Sequence, residues 1–206
     1  MISTRILIGC LVAATLVWSC GAQVATPTPA TPTATVTPSP SVTASPTAPA
    51  TDVPVDGQAA QGYLDAAAAL NAATQTWGAA AESLSSAAAA STAPPADQLR
   101  TFAVAFLPLC HELAQAVRVY AGAVQALSLT ADQRAIADEL AAKSADVATY
   151  LDKWTDPDAF IADMGTADMT ALDVWGGPWL DATTAVLPVA NNLRAALGLP
   201  PADSGL

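Results

Sequence analysis

From Gly57 onward, apolar side chains return at helical intervals. Tyr63, Leu70, Trp77 and Leu84 recur every seven residues, and Ala67, Thr74, Ala81 and Ala88, which interleave with them, are small. Large and small residues alternating on one stripe let helices approach closely, which predicts the first helix of an antiparallel bundle. Ser91-Thr92-Ala93-Pro94-Pro95 ends it. The second helix is the most periodic: Leu99, Phe102, Phe106, Leu109, Leu113, Val117, Tyr120, Val124 and Leu127 follow spacings of three and four. Pro108 lies inside it, and its missing N–H predicts a kink or break near Leu107.

A capping-box pattern, Thr130-Ala131-Asp132-Gln133, announces a third helix with Ile136, Leu140, Val147, Leu151 and Trp154 on its apolar face. Glu139 and Lys143 are spaced for an i, i+4 pair on the outside. Between Thr155 and Trp179 the pattern loosens. Asp156 before Pro157 reads as the start of a short helix through Met164, Gly165 interrupts it, and Gly176-Gly177-Pro178 is expected to break the chain again. The last helix is then expected from about Leu180 to Leu197, with a bend at Pro188 and a stop at Gly198 and Pro200-Pro201. The elements define an all-α fold: an antiparallel bundle of about four main helices with a short irregular helical crossover. It occupies residues 57–199, with a tail at 200–206.

The first third of the chain follows a different pattern. MISTR, with Arg5 as its only side-chain charge, leads into an apolar run from Ile6 to Trp18. At about thirteen residues that run suits a secretory signal and is short for a membrane span. Val17-Trp18-Ser19-Cys20 then places a branched aliphatic residue, a small residue and a cysteine at the −3, −1 and +1 positions. In this respect the N-terminal region resembles a bacterial lipoprotein precursor. The resemblance implies a signal peptide at 1–19, cleavage before Cys20, a diacylglyceryl thioether on Cys20, and an amide-linked acyl group of the palmitate kind. One acyl chain holds a protein only marginally, so this multiple acylation is what would make the anchor durable.

Residues 20–56 read as the lipidated cysteine followed by a disordered spacer. No charged side chain occurs from Gly21 to Thr51, and half of the sixteen prolines fall between Pro27 and Pro54. Each proline fixes φ, removes a donor and biases its predecessor toward extended backbone, so no core forms here. At about 3.1 Å per residue the thirty-odd residues reach on the order of 100 Å, enough to lift the bundle clear of lipid headgroups. The expected location is the extracytoplasmic face of a bacterial cell membrane.

Charge narrows the partners. The chain carries 18 acidic against 7 basic side chains, a net charge of −11. Such a field repels phosphate backbones, so nucleic acid is not an expected partner. Charged residues are only 12% of the sequence, which leaves much apolar and small surface for an envelope protein to dock on. Once Cys20 is acylated, Cys110 has no intrachain partner, so the chain is not a disulfide scaffold.

Candidate chemistry is sparse. Cys110-His111 holds the bundle's only cysteine and only histidine, but neighbours on a helix point about 100° apart, and Leu107 stands where a c-type haem motif needs cysteine. A buried thiol beside a surface or inter-helix histidine is expected; any site would centre on His111 with Glu112 or a carboxylate from another helix. Asp156, Asp158, Asp163, Asp168 and Asp173 belong to an acidic group that fails the EF-hand pattern, since Phe160 occupies the fifth position from Asp156. Helix caps and solvated charges are the expected roles. No nucleophile stands beside a base and no phosphate-binding glycine loop occurs, so neither an enzyme nor a cofactor is expected.

Trp154, Trp175 and Trp179 gather at the crossover with Tyr150 and Phe160. Core packing is the commoner role for such a group, and a weak ligand pocket at Trp154, Trp175 and Trp179 is the alternative. The expected function is therefore a lipid-anchored, non-catalytic interaction or structural module of the envelope. Its rival is an extracytoplasmic protein that binds a small apolar molecule or a cation at the tryptophan-rich crossover.

Overall fold

A computed structural model describes residues 55–202. The signal peptide, the lipidated Cys20 and the disordered spacer expected from the sequence lie outside the described residues, as does the end of the tail. Five helices and no strands are found among those described: α1 (Val55–Ala90), α2 (Pro95–Gln125), α3 (Ala131–Leu151), α4 (Pro157–Met164) and α5 (Ala171–Ala196). The protein is an all-α bundle. α1 packs on α2, α2 on α3 and α3 on α5, while the short α4 bridges α2 and α5.

The periodic stripes become the core. Tyr63, Leu70, Trp77 and Ala81 of α1 are buried, as are Phe102, Phe106, Leu113, Val117, Tyr120 and Val124 of α2, with Leu84, Leu109 and Leu127 half-buried at the margins. Gly62 of α1 packs against the segment that follows α2, where a Cβ would lie 2.8 Å from Leu127 Cδ2. α2 is also, among the described helices, the one long and apolar enough to cross a membrane, with a mean hydropathy of 1.3. Its apolar stripe faces the bundle interior instead.

Helix ends follow their sequence signals closely. The Gln133 N–H donates to Thr130 Oγ1 (3.4 Å) and the Thr130 N–H donates to Gln133 Oε1 (3.0 Å), closing the capping box. Gln133 Nε2 also donates to the Ala196 carbonyl (2.8 Å), so one side chain ties the start of α3 to the end of α5. Asp156 accepts from the Asp158 N–H (2.9 Å) at the start of α4, and Gly165, at φ 70°, ends it. At the close of α5 the Leu199 N–H donates to the Arg194 carbonyl (2.8 Å) and the Gly198 N–H to that of Ala195 (3.1 Å), with Gly198 at φ 71°. This is a Schellman motif, and only a residue tolerant of left-handed backbone suits its centre.

α2 continues through Pro108, so of the kink or break expected near Leu107 the break does not occur. The break expected before Leu180 is corrected: α5 begins at Ala171 and runs through Gly176, Gly177, Pro178 and Pro188. The three helix-internal prolines are all exposed, and so are Val104, Val174 and Thr184, the residues four positions earlier whose carbonyls lose a partner. Water can take those carbonyls, which removes most of the penalty. Trp175 and Trp179, one turn apart and both buried, hold the Gly-Gly-Pro segment against the core. A third difference lies at α3, which ends at Leu151, short of Trp154. Pro157 blocks helical backbone at Asp156, and Trp154 reaches the core from the connection. Glu139 and Lys143 do not close to ion-pair distance.

Candidate functional site

Cys110 and His111, adjacent on α2, diverge as the helical rotation requires. The Cys110 thiol is buried, and burial pushes its pKa well above the ordinary thiol value; the Trp77 indole eases it slightly without reaching hydrogen-bond geometry, and Asp152 raises it further. A thiol kept protonated in this way is a poor nucleophile and a poor metal ligand. His111, about a third exposed, places Nδ1 2.5 Å from Asp152 Oδ1. Arg118, two turns along α2, binds the other oxygen of the same carboxylate. Burial raises Asp152, but hydrogen bonds from His111 and Arg118 and their charges outweigh it and hold the group below the ordinary carboxylate range. The carboxylate from another helix that the sequence left open is therefore Asp152, at the C-terminal cap of α3.

The acidic group disperses into local roles. Asp158 makes a two-pronged pair with Arg100 (2.5 and 3.0 Å). Asp163 accepts from Lys153 (2.7 Å) and from Trp154 Nε1 (3.0 Å), and these two bonds hold its carboxyl low. Asp168 accepts from Thr170 and Thr166, with the same effect. Among the described residues no three of His, Cys, Asp or Glu converge as a metal site would require.

Trp154, Trp175 and Trp179 are brought together, and all three are buried, at 5%, 2% and 4% exposure. Trp175 and Trp179 stack (5.7 Å between centroids, 17° between planes), and Trp77 of α1 sits 5.8 Å from Trp179 and 5.9 Å from Phe106. Tyr150 bridges Trp154 and Trp175 and donates its hydroxyl to the Trp175 carbonyl (2.6 Å). Trp179 Nε1 finds no acceptor in this cluster. Trp77 and Phe106 were not grouped with the crossover tryptophans by sequence, because only the fold makes them neighbours.

A cavity of about 60 Å³ lies elsewhere, between α1 and α5, and opens to solvent on one side. Tyr63, Leu70 and Asn71 of α1, with Val186 and Ala190 of α5, form its walls. Arg194, only 4% exposed, borders it. Ala202 closes one edge because two bonds fold the tail back on α5: Arg194 Nε donates to the Pro200 carbonyl (2.6 Å), and the Ala202 N–H donates to Asn191 Oδ1 (2.8 Å). Sequence reasoning missed this region. Its signal was present in Asn71 beside Leu70 and Arg194 beside Leu193, polar residues flush with an apolar stripe.

These features define an all-α bundle with an aromatic core at one end of the α1/α5 seam and a small cavity at the other. Comparison with protein-family models, curated proteins and solved structures finds no match to this chain.

Proposed function

We propose that this protein is a membrane-anchored extracytoplasmic lipoprotein whose bundle serves the bacterial cell envelope as a non-catalytic interaction or structural module. The observation that carries the reading is the fate of its most reactive side chains. Cys110 is sealed in the core, and His111, about a third exposed, is held by Asp152, which Arg118 also engages. Asp156, Asp158 and Asp163 go to a cap, an ion pair and an indole. The Val17-Trp18-Ser19-Cys20 motif and the proline-rich segment supply the anchor and the reach.

The test is to express the full chain in a bacterium and compare it with Cys20→Ala. The expected result is a membrane-fraction protein whose N-terminal peptide carries the mass of three acyl chains, and release of the variant into the soluble extracytoplasmic fraction or retention of its uncleaved precursor. A wild-type N-terminus with an unmodified Cys20 would overturn the anchor. Crosslinking in intact cells should trap the bundle on an envelope protein, and a bundle that turned over envelope polymer in vitro would overturn the non-catalytic assignment.

A further inference from the structure

We propose that the face of α5 holding the chain's own tail is a docking site for an extended, proline-containing segment of an envelope partner, and that the tail is a place-holder which the partner displaces. This deepens the interaction-module reading and rests on it. The stop of α5 is already complete at Leu199, whose N–H closes the Schellman motif. Two further bonds then run to the tail from side chains one turn apart on α5: Arg194 Nε donates to the Pro200 carbonyl (2.6 Å), and Asn191 Oδ1 accepts from the Ala202 N–H (2.8 Å). Both hold backbone atoms, an acceptor and a donor two residues apart, so the grip does not read the side chains of the tail. Pro200 and Pro201 are exposed. Their contribution is to fix φ and bias Leu199 and Pro200 toward extended backbone, which lowers the entropy lost on docking.

The tail leaves part of the site unused. Ala202 lines the cavity of about 60 Å³, and Leu70, Val186 and Ala190 supply apolar wall there. Hydroxyls on that wall are engaged within the fold: those of Tyr63 and Tyr120 lie 3.5 Å apart, and Thr183 Oγ1 donates to the Trp179 carbonyl (3.0 Å). An aliphatic side chain larger than methyl at the Ala202 position therefore buries apolar surface that alanine leaves uncovered. The partner segment is thus a proline pair followed by a bulkier apolar residue. A net charge of −11 on the chain adds that this segment is neutral or basic. Main-chain hydrogen bonds then hold a pre-extended peptide, and one pocket sets its specificity.

The experiment is a nuclear magnetic resonance titration of the full chain in a non-ionic detergent, following the Asn191 side-chain amide and the Ala202 backbone amide. The probes are the capped peptide Gly-Leu-Pro-Pro-Ala, copied from residues 198–202, its Ala202→Leu form, and that form with both prolines replaced by alanine. The leucine peptide should shift both signals saturably and bind about tenfold more tightly than the alanine peptide. Loss of the prolines should weaken it about threefold. A chain lacking residues 200–206 keeps the Schellman motif and has no competing tail, so it should bind the leucine peptide about tenfold more tightly than the full chain does. Ala190→Leu narrows the cavity but leaves Asn191 and Arg194 in place; there the leucine peptide should lose its advantage while the helical circular dichroism is retained. Absence of saturation in both the full and the shortened chain, equal affinity of the two, or a leucine peptide no tighter than the alanine one would overturn the assignment. A peptide of residues 27–36 that bound as tightly as the leucine peptide would overturn the partner and give the site to the chain's own spacer. None of these titrations depends on acylation of Cys20, so the docking site and the anchor fail separately.

Discussion

The two ends of the α1/α5 seam are built from the same two helices and solve opposite problems. The helices run antiparallel, so Trp77 meets Trp175 and Trp179 at one end, while Tyr63 and Ala67 face Ala190 and Arg194 at the other. Their backbones do not pack closely at either end. At the tryptophan end, indoles span the gap and Phe106 reaches in from α2 at 5.1 Å from Trp175. At the arginine end the small residues Ala67 and Ala190 leave the gap open, and the folded-back tail partly roofs it. Large aromatics thus fill the seam at one end, while at the other Tyr63 and Tyr120 line a cavity that Ala67 and Ala190 are too small to fill.

Substitutions can break this contrast. The largest effect is expected for Trp175→Ala, which empties the filled end and should destabilise the bundle by about 3–5 kcal/mol in a chemical-denaturation series. Adding volume should act oppositely at the two ends. Ala81 is fully buried, and Ala81→Leu should cost about 1–3 kcal/mol by overpacking, whereas Ala67→Leu at the cavity should be neutral or stabilising by up to about 1 kcal/mol. Equal losses at both positions would mean that the cavity end is as tightly packed as the aromatic end.

Smaller effects sharpen the account of the frame around the seam. Thr130→Ala removes the capping-box hydroxyl and should cost about 1 kcal/mol. Asp152→Asn leaves His111 and Arg118 with a weaker acceptor, and its signature is pH dependence. A carboxyl whose folded pKa lies below its unfolded value stabilises the fold at neutral pH, and that stability is lost as pH falls from the ordinary carboxylate value through the lower folded one. The wild type should therefore lose stability below about pH 4, and Asp152→Asn should shed part of that slope, with Asp163 and Asp168 retaining theirs. The smallest effect is expected for Asp158→Ala, whose pair with Arg100 is more than half exposed; a change within about 0.5 kcal/mol is anticipated.

Sequence by itself determined the helical class, the stripes of α1, α2 and α3, the capping box at Thr130 and the stop at Gly198. These are local properties, fixed by side-chain period and by backbone dihedrals within a few residues. It also showed that Cys110 faces inward and His111 away, a consequence of helical rotation. The course of α5 was not legible, because Gly176-Gly177-Pro178 is a breaker by local propensity. Only the packing of Trp175 and Trp179, with the solvent at Val174, reverses that preference. Asp152 as the partner of His111, Trp77 among the crossover indoles, and Arg194 beside an open cavity were likewise decided by tertiary structure. Each joins residues at least 41 positions apart or depends on what an opposing helix leaves unfilled. A linear pattern records which face of a helix is apolar, but not how far away the next helix stands.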